Sequence, residues 1–111
     1  MIKIDEINRV HLGIRGENAA RDIEIDMSEW AEEHPEADVE IWHRRSGDTE
    51  AALTGATYDA DTQVLTWTPD STDTYAAGRG IAEVVMTDTG LVKKKQFLTT
   101  VHDGMQIIDT D

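Results

Sequence analysis

The chain has 111 residues, the length of one ordinary domain, and its lack of cysteine excludes disulfide scaffolds, thiolate zinc sites and cysteine nucleophiles. Ten Lys and Arg residues against 23 Asp and Glu residues give a formal net charge of −13. We therefore expect no nucleic-acid partner and no membrane partner, because both would bring further negative charge to this surface.

We expect neither a membrane span nor a secretion signal from this sequence. No run approaches the ~20 apolar residues of a spanning helix, and the first six residues lack the apolar core of a signal peptide. There is no low-complexity linker that would mark a domain boundary. We expect a soluble protein made in the cytoplasm, with one β domain over residues 1–104 and a tail of residues 105–111.

Apolar and polar residues alternate with period two along most of the chain, which is the pattern of half-buried β-strands. The predicted strands cover residues 9–14, 22–27, 38–45, 63–68, 81–87 and 91–101. A weaker strand near residues 51–58, with Leu53 as its apolar anchor, brings the count to about seven. Seven short strands at this spacing favour an all-β fold, an immunoglobulin-like antiparallel β-sandwich.

One segment departs from this alternation. Residues 26–29 fit a capping box, in which the Asp26 carboxylate accepts from the amide of Glu29 and the Glu29 side chain reaches back. The pattern predicts one short helical turn that ends before Pro35. Trp30 lies on that turn, and its ring has only the core to bury against, so we expect it to close an open end of the sandwich.

Two further tryptophans lie on predicted strands. Trp67 alternates in phase with Leu65, which predicts a core position. If Ile41 faces inward, Trp42 falls on the outer face beside Arg44, a composition typical of a binding hot spot or a sugar platform. A bulge could instead turn Trp42 into the core, as in immunoglobulin-like folds, and the sequence leaves both alternatives open.

The titratable residues form no catalytic or metal-binding motif. None of the four histidines lies three or four residues from another, so we interpret them as solvated strand or loop residues: His11, His34, His43 and His102. Loop carboxylates could in principle hold Ca²⁺, but turn-forming hydrogen bonds explain them better: Asp59, Asp61, Asp70 and Asp73. We assign no catalytic residue, no cofactor and no metal ligand.

Two segments are candidates for contacts with other proteins. Lys93, Lys94 and Lys95 are consecutive, and on a strand they cannot all share one face. They protect an edge strand, accompany a bulge that shifts the phase of the strand between Leu91 and Phe97, or form a docking point for the acidic face of another subunit, with Lys93 and Lys95 on the same side. The apolar residues of the tail, Met105, Ile107 and Ile108, must also find a surface, either as an added strand of this domain or by pairing with a neighbouring copy.

The order of motifs along the chain carries a family resemblance. The motifs are Leu12-Gly13 with Gly16-Glu17-Asn18-Ala19, Ile25-Asp26-Met27-Ser28-Glu29-Trp30, Arg45-Ser46-Gly47-Asp48, Leu65-Thr66-Trp67, and Asp73-Thr74-Tyr75-Ala76-Ala77-Gly78-Arg79-Gly80 with Glu83. This succession resembles the small β-sandwich domains of phage and prophage structural proteins, in particular the amino-terminal domain of baseplate or tail-fibre proteins in phages of gut Firmicutes.

The residues around 73–80 also have a physical interpretation of their own. Asp73 and Tyr75 precede a strand much as in a tyrosine corner, where a Tyr hydroxyl bonds back to the chain. Gly78 and Gly80 would let the chain re-enter the sheet through positive φ or a bulge.

The resemblance implies a non-enzymatic virion component that assembles with further copies of itself and with other phage structural proteins. Its place would be baseplate or tail-fibre attachment, or a capsid-associated fibre or decoration. The alternative is a carbohydrate-binding module built around Trp42 and Arg44. An enzyme that acts on sugars ranks last, because its two carboxylates must lie ~5–9.5 Å apart in a cleft.

Overall fold

The computed structural model describes residues 1–104, so Met105, Ile107 and Ile108 of the predicted tail lie outside the described residues. Within that range the chain forms the following elements. They are β1 (Ile2–Lys3), β2 (Arg9–Ile14), β3 (Ile23–Asp26), α1 (Ser28–Ala31), β4 (Asp38–Arg44), β5 (Ala52–Leu53), β6 (Thr57–Asp59), β7 (Val64–Trp67), β8 (Gly78–Asp88) and β9 (Leu91–His102). The predicted all-β sandwich is confirmed, with nine strands among these residues rather than about seven.

The strands form two sheets. One has the order β1-β3-β7-β6 and the other the order β2-β9-β8-β4-β5. Most neighbours are antiparallel, as predicted, but β1 runs parallel to β3 and β2 runs parallel to β9. The sheets are mixed because the first two strands join different sheets, each beside a strand that runs in its own direction. The immunoglobulin-like connectivity stays a prediction.

The core lies between the inner faces of the two sheets, where alternate side chains of each strand meet. Val39 and Ile41 of β4 point inward, as the alternation predicts, and Trp67 is fully buried. Other fully buried side chains come from both sheets: Leu12, Ile25, Leu65, Ala82, Val84 and Met86. Each of the larger ones contributes about 1.5–3 kcal/mol to stability by leaving water.

The weak strand predicted near residues 51–58 is two short strands in different sheets. β5 pairs with β4 in the five-stranded sheet, whereas β6 pairs with β7 in the four-stranded sheet. The chain crosses between the sheets after Thr54, whose amide and hydroxyl both donate to the Ile41 carbonyl. The prediction that Leu53 is an apolar anchor is wrong: it lies opposite Trp42 on an edge strand and is 53% exposed.

The helix α1 is a single turn that ends before Pro35, as predicted, and Trp30 on it is 4% exposed. The predicted capping box is wrong. The Asp26 carboxylate accepts from the amide of Ser28 at 2.9 Å, because the helix begins one residue later than a cap at Asp26 requires. The residues described include no helix with the length and apolar character needed to cross a membrane.

Candidate functional site

The outer face of the five-stranded sheet carries the residues singled out around Trp42. Trp42 points outward on β4 and is half-buried, and its Nε1 donates to the Glu40 carboxylate at 3.3 Å. The bulge that would have turned it into the core is absent, because β4 pairs with β8 in continuous register from Asp38 to Arg44. The outward alternative left open by the sequence is therefore the one the structure shows.

Strand pairing arranges the side chains around Trp42 in two rows across the sheet. One row is Leu53, Trp42, Glu83 and Gln96, and the next is Arg44, Ile81, Leu98 and Arg9. We call these eight residues the Trp42 face. Leu53 is 53% and Leu98 is 37% exposed, so apolar surface reaches solvent in both rows. Exposed apolar side chains grouped on one sheet are a feature of binding surfaces.

A small recess lies at one end of the Trp42 face. Its volume is about 170 Å³, and it is lined by Trp42, Arg44, Thr49, Ala51, Ile81, Glu83 and Gln96. The Gln96 amide donates to Glu83 Oε2 at 3.1 Å, and Lys94 Nζ lies 3.8 Å from Oε1, so the Glu83 carboxylate is held in place. An indole beside an oriented carboxylate, an amide and a guanidinium can bind either a protein side chain or a small polar ligand.

The Trp42 face carries two arginines against one carboxylate, Glu83, although the chain is strongly acidic. Within residues 1–104, Arg9, Arg44 and Arg79 have no carboxylate within 4.0 Å, whereas Arg15, Arg21 and Arg45 each pair with one. Arg79 extends the basic character beyond the two rows, since it lies two residues before Ile81 on β8. Guanidinium groups without an internal partner are available to carboxylates of another molecule.

A second polar cluster lies inside the sandwich. His43 is 3% exposed, with Nδ1 3.2 Å from Asp73 Oδ1 and Nε2 3.0 Å from the hydroxyl of Thr99. The order Thr, His, Asp resembles a hydrolytic triad, but Thr99 is 1% exposed and a substrate cannot reach its hydroxyl. The cluster connects the sheets, because Trp67 Nε1 donates to Asp73 Oδ2 at 3.4 Å.

The interpretation of His43 as a solvated histidine is therefore wrong. The signal was present in the sequence, since residue 43 has the same parity as the inward-facing Val39 and Ile41. A buried imidazole needs partners for both ring nitrogens, and those partners come from positions far along the chain.

The tyrosine corner predicted at Tyr75 does not form. Tyr75 is 59% exposed, and its ring lies against the guanidinium of Arg45, 5.0 Å from Cζ to centroid. The hydrogen bond from this corner back to the chain is made by Thr74 instead. Thr74 is 1% exposed, and its hydroxyl donates to the Glu17 carbonyl at 2.6 Å. The corner is thus fixed one residue earlier and by a shorter side chain.

The two glycines of β8 have different roles. Gly78 has φ +123°, a backbone conformation that glycine adopts without strain, as predicted. Gly80 is needed for space, because a Cβ there would lie 2.6 Å from the Arg44 carbonyl and 3.2 Å from His43 Nε2. Gly80 therefore lets β8 pass close to the buried histidine.

The lysines do not join the Trp42 face as a group. β2 pairs with β9 only from Leu98 onward, which leaves the first half of β9 without a neighbour on that side. Lys93 Nζ lies 4.7 Å from the centre of the Trp30 ring, and Lys95 Nζ donates to the Asp5 carbonyl at 3.3 Å. Lys93 and Lys95 thus make contacts at the α1 end of the sandwich.

Asp59 and Asp70 make turns, as predicted, whereas the Asp73 carboxylate is buried in the cluster with His43. The Asp59 carboxylate accepts from the amide of Asp61 at 2.9 Å, and Asp70 accepts from the amide of Thr72 at 2.9 Å. The hydroxyl of Thr72 also donates to Asp70, and this bond is the main cause that lowers the Asp70 pKa. In the part of the chain that the structure describes, no three His, Asp or Glu residues are grouped to hold a metal ion.

No protein-family model matches the chain, and no curated protein is significantly similar to it.

Proposed function

We propose that this chain is a non-enzymatic structural component of a phage virion and assembles with other proteins through the Trp42 face. The observation that supports this most directly is the outward position of Trp42, in one continuous patch with Ile81 and Leu98. Tryptophan and arginine are the residues most enriched at the energetic centres of protein interfaces. The virion context comes from the resemblance in motif order.

The sheet presents these side chains in a fixed arrangement. Trp42 lies on β4, which pairs with strands on both sides, so its backbone cannot shift without breaking sheet hydrogen bonds. A rigid surface loses little conformational entropy on binding, which favours affinity. The function is therefore recognition by a preformed face, with no chemical step.

The test is whether the chain is incorporated into particles. Phage particles are produced in the host, purified by density gradient, and analysed by quantitative mass spectrometry for peptides of this chain. We expect the chain in the particle fraction at a fixed stoichiometry. Its absence from intact particles while it is present in the lysate would overturn the proposal.

A variant then tests the face. Trp42→Ala should strongly reduce incorporation, because the largest side chain of the face is lost. The matched control is Tyr75→Ala, which removes another exposed aromatic residue outside the face and should leave incorporation unchanged. Equal incorporation of the two variants would overturn the assignment of the Trp42 face.

A carbohydrate-binding module is the second candidate, favoured by the recess where Trp42 lies beside Glu83 and Gln96. Sugars stack on indole faces and hydrogen-bond to such side chains. Titration with oligosaccharides should then change tryptophan fluorescence in the native chain and not in Trp42→Phe, with Trp30 and Trp67 as unchanged background. A glycan array without signal would exclude this candidate.

A further inference from the structure

The outer faces of the two sheets differ in charge. On the four-stranded sheet, Glu24 of β3, Thr66 of β7 and Thr57 of β6 form one row across the strands. A shallow recess of about 850 Å³ lies over this surface, and no Lys or Arg lines it. We call the surface the Glu24 face; it comprises Met1, Glu24, Thr57, Asp59, Val64 and Thr66.

The Glu24 face complements the Trp42 face in composition. Its carboxylates, Glu24 and Asp59, have no Lys or Arg within 4.0 Å among residues 1–104, and Met1 beside them is 74% exposed. The Trp42 face offers the reverse combination of unpaired arginines and exposed apolar side chains. Opposite charge with matching apolar area is the property that selects partners at protein interfaces.

We propose that the Trp42 face binds the Glu24 face of a second copy of this chain, so that copies associate head to tail. In this arrangement Arg44 and Arg79 of one copy meet Glu24 and Asp59 of the next, while Leu98 packs against Met1. This inference rests on the proposed function, since it uses the same face and identifies a partner for it.

The geometry determines the kind of assembly. The two faces lie on opposite sides of the sandwich, so one molecule cannot bring its own faces together. A contact between two different faces leaves one free face of each kind, and such contacts produce open chains or closed rings. A twofold dimer, in which the Trp42 face meets itself, would instead bring Arg9, Arg44 and the neighbouring Arg79 close to the same arginines of the second copy.

The size of the face sets the expected affinity. Five strands about 4.8 Å apart and about seven residues of about 3.3 Å each give roughly 450 Å² for the flat area of the whole five-stranded sheet, and the Trp42 face is only part of that area. Stable interfaces bury about 800 Å² on each partner, so we expect association that depends on concentration in the micromolar range or above. The net charge of −13 opposes association at very low salt, and the contact pairs weaken at molar salt.

The experiment measures mass by sedimentation equilibrium from about 10 µM to about 500 µM in about 0.1 M salt. The first variant carries Arg44→Glu with Arg79→Glu, and the second carries Glu24→Lys with Asp59→Lys. Native protein should form species larger than a dimer at the highest concentrations. Each variant alone should associate at least about tenfold more weakly than native protein.

The decisive sample is an equimolar mixture of the two variants. The first variant keeps the Glu24 face, the second keeps the Trp42 face, and the two reversed faces again carry opposite charges. The mixture should therefore recover the association that neither variant shows alone. Controls with the same change in net charge outside both faces are Arg15→Glu with Arg21→Glu and Glu33→Lys with Glu36→Lys, which should associate like native protein. Circular dichroism verifies the fold, and Arg44→Gln with Arg79→Gln replaces the first variant if the charge reversal unfolds the chain.

Three outcomes would overturn the inference: native protein that stays monomeric at every concentration, a mixture that stays monomeric, or a first variant that still associates fully. These failures are distinct from failure of the proposed function. A chain that is monomeric in solution but incorporated into particles through Trp42 keeps its proposed function and loses the head-to-tail partner. If the chain self-associates but never enters particles, the virion assignment is wrong and the head-to-tail contact stands.

Discussion

His43 and Asp73 are hydrogen-bonded inside the sandwich, with Nδ1 3.2 Å from Oδ1, although thirty positions separate them in the chain. Asp73 also accepts from the Trp67 indole and from the amide of Asp70, at 3.4 and 3.1 Å. One carboxylate thus connects a strand of each sheet and the loop before β8. Among the described residues, no buried side-chain polar atom lacks a partner.

Asp73→Ala should destabilise the fold by about 3 kcal/mol, because it leaves buried donors of His43 and Trp67 without an acceptor. Urea unfolding followed by tryptophan fluorescence measures the change. Asp61→Ala is the control, since that exposed residue contributes its backbone amide to a turn and the amide survives the substitution. Equal stability of the two variants would show that the buried network contributes little.

Gly80→Ala should cost about 1–3 kcal/mol, because the new methyl group meets the rigid Arg44 carbonyl and the Thr99 hydroxyl at 2.6 and 2.7 Å. Gly55→Ala is the matched control: nothing lies within 4 Å of the position that its new methyl group would occupy, and the smaller unfolded-state entropy makes it neutral or slightly stabilising. Thermal unfolding of both variants checks the difference. A Gly80→Ala protein as stable as Gly55→Ala would contradict the close packing of β8 on His43.

Alternation in the sequence predicts the inward and outward sides of β4 correctly, because side-chain direction is a local property of a strand. The same alternation predicts that His43 faces inward with Val39 and Ile41. The four histidines were interpreted together as solvated because they form no metal motif, and that interpretation disregarded the alternation. The position of Trp42 needed more than parity. A single bulge would have reversed it, and bulges depend on the partner strand, β8, which alternation does not identify.

Contacts between residues that are far apart in the chain could not be predicted from the sequence. The corner before β8 is fixed by Thr74, whose acceptor on Glu17 lies 57 positions away. The residues next to Thr74 in the sequence do not indicate which side chain faces the Glu17 carbonyl. The prediction therefore assigned this hydrogen bond to the hydroxyl of Tyr75. The division of residues 51–58 between two sheets has the same origin, since neither β5 nor β6 is long enough to show a pattern of its own.

Thr74→Val should destabilise the protein by about 1–2 kcal/mol, since it keeps the shape of the side chain and loses the hydroxyl bond to Glu17. Tyr75→Phe should change stability by less than about 0.5 kcal/mol, because Tyr75 is largely exposed. Chemical denaturation of both variants compares them directly. If Tyr75→Phe destabilised the protein more than Thr74→Val, the Tyr75 hydroxyl would be the group that fixes the corner, as the sequence predicted.

Lys93→Ala should destabilise the fold by about 0.5–1 kcal/mol, because it removes the cation over the Trp30 ring. Lys94→Ala is the neighbouring control: it breaks only an exposed pair with Glu83, which contributes less. Thermal unfolding in low salt measures both. If Lys93→Ala leaves stability unchanged and instead weakens self-association, Lys93 acts as a docking point for another subunit, the alternative given by the sequence analysis.

Stability should fall in acid partly through Asp70, whose pKa is lowered mainly by the hydroxyl of Thr72 and further by backbone amides. A carboxyl with a lower pKa in the folded state stabilises the fold above its unfolded pKa of about 4, and this contribution is lost as pH falls through the folded pKa. Thr72→Ala should therefore raise the Asp70 pKa in an NMR titration. Its stability deficit should be largest near about pH 7 and shrink toward about pH 3. Ser71→Ala is the control, and a Thr72→Ala deficit that is independent of pH would show that the hydroxyl acts without the charge of Asp70.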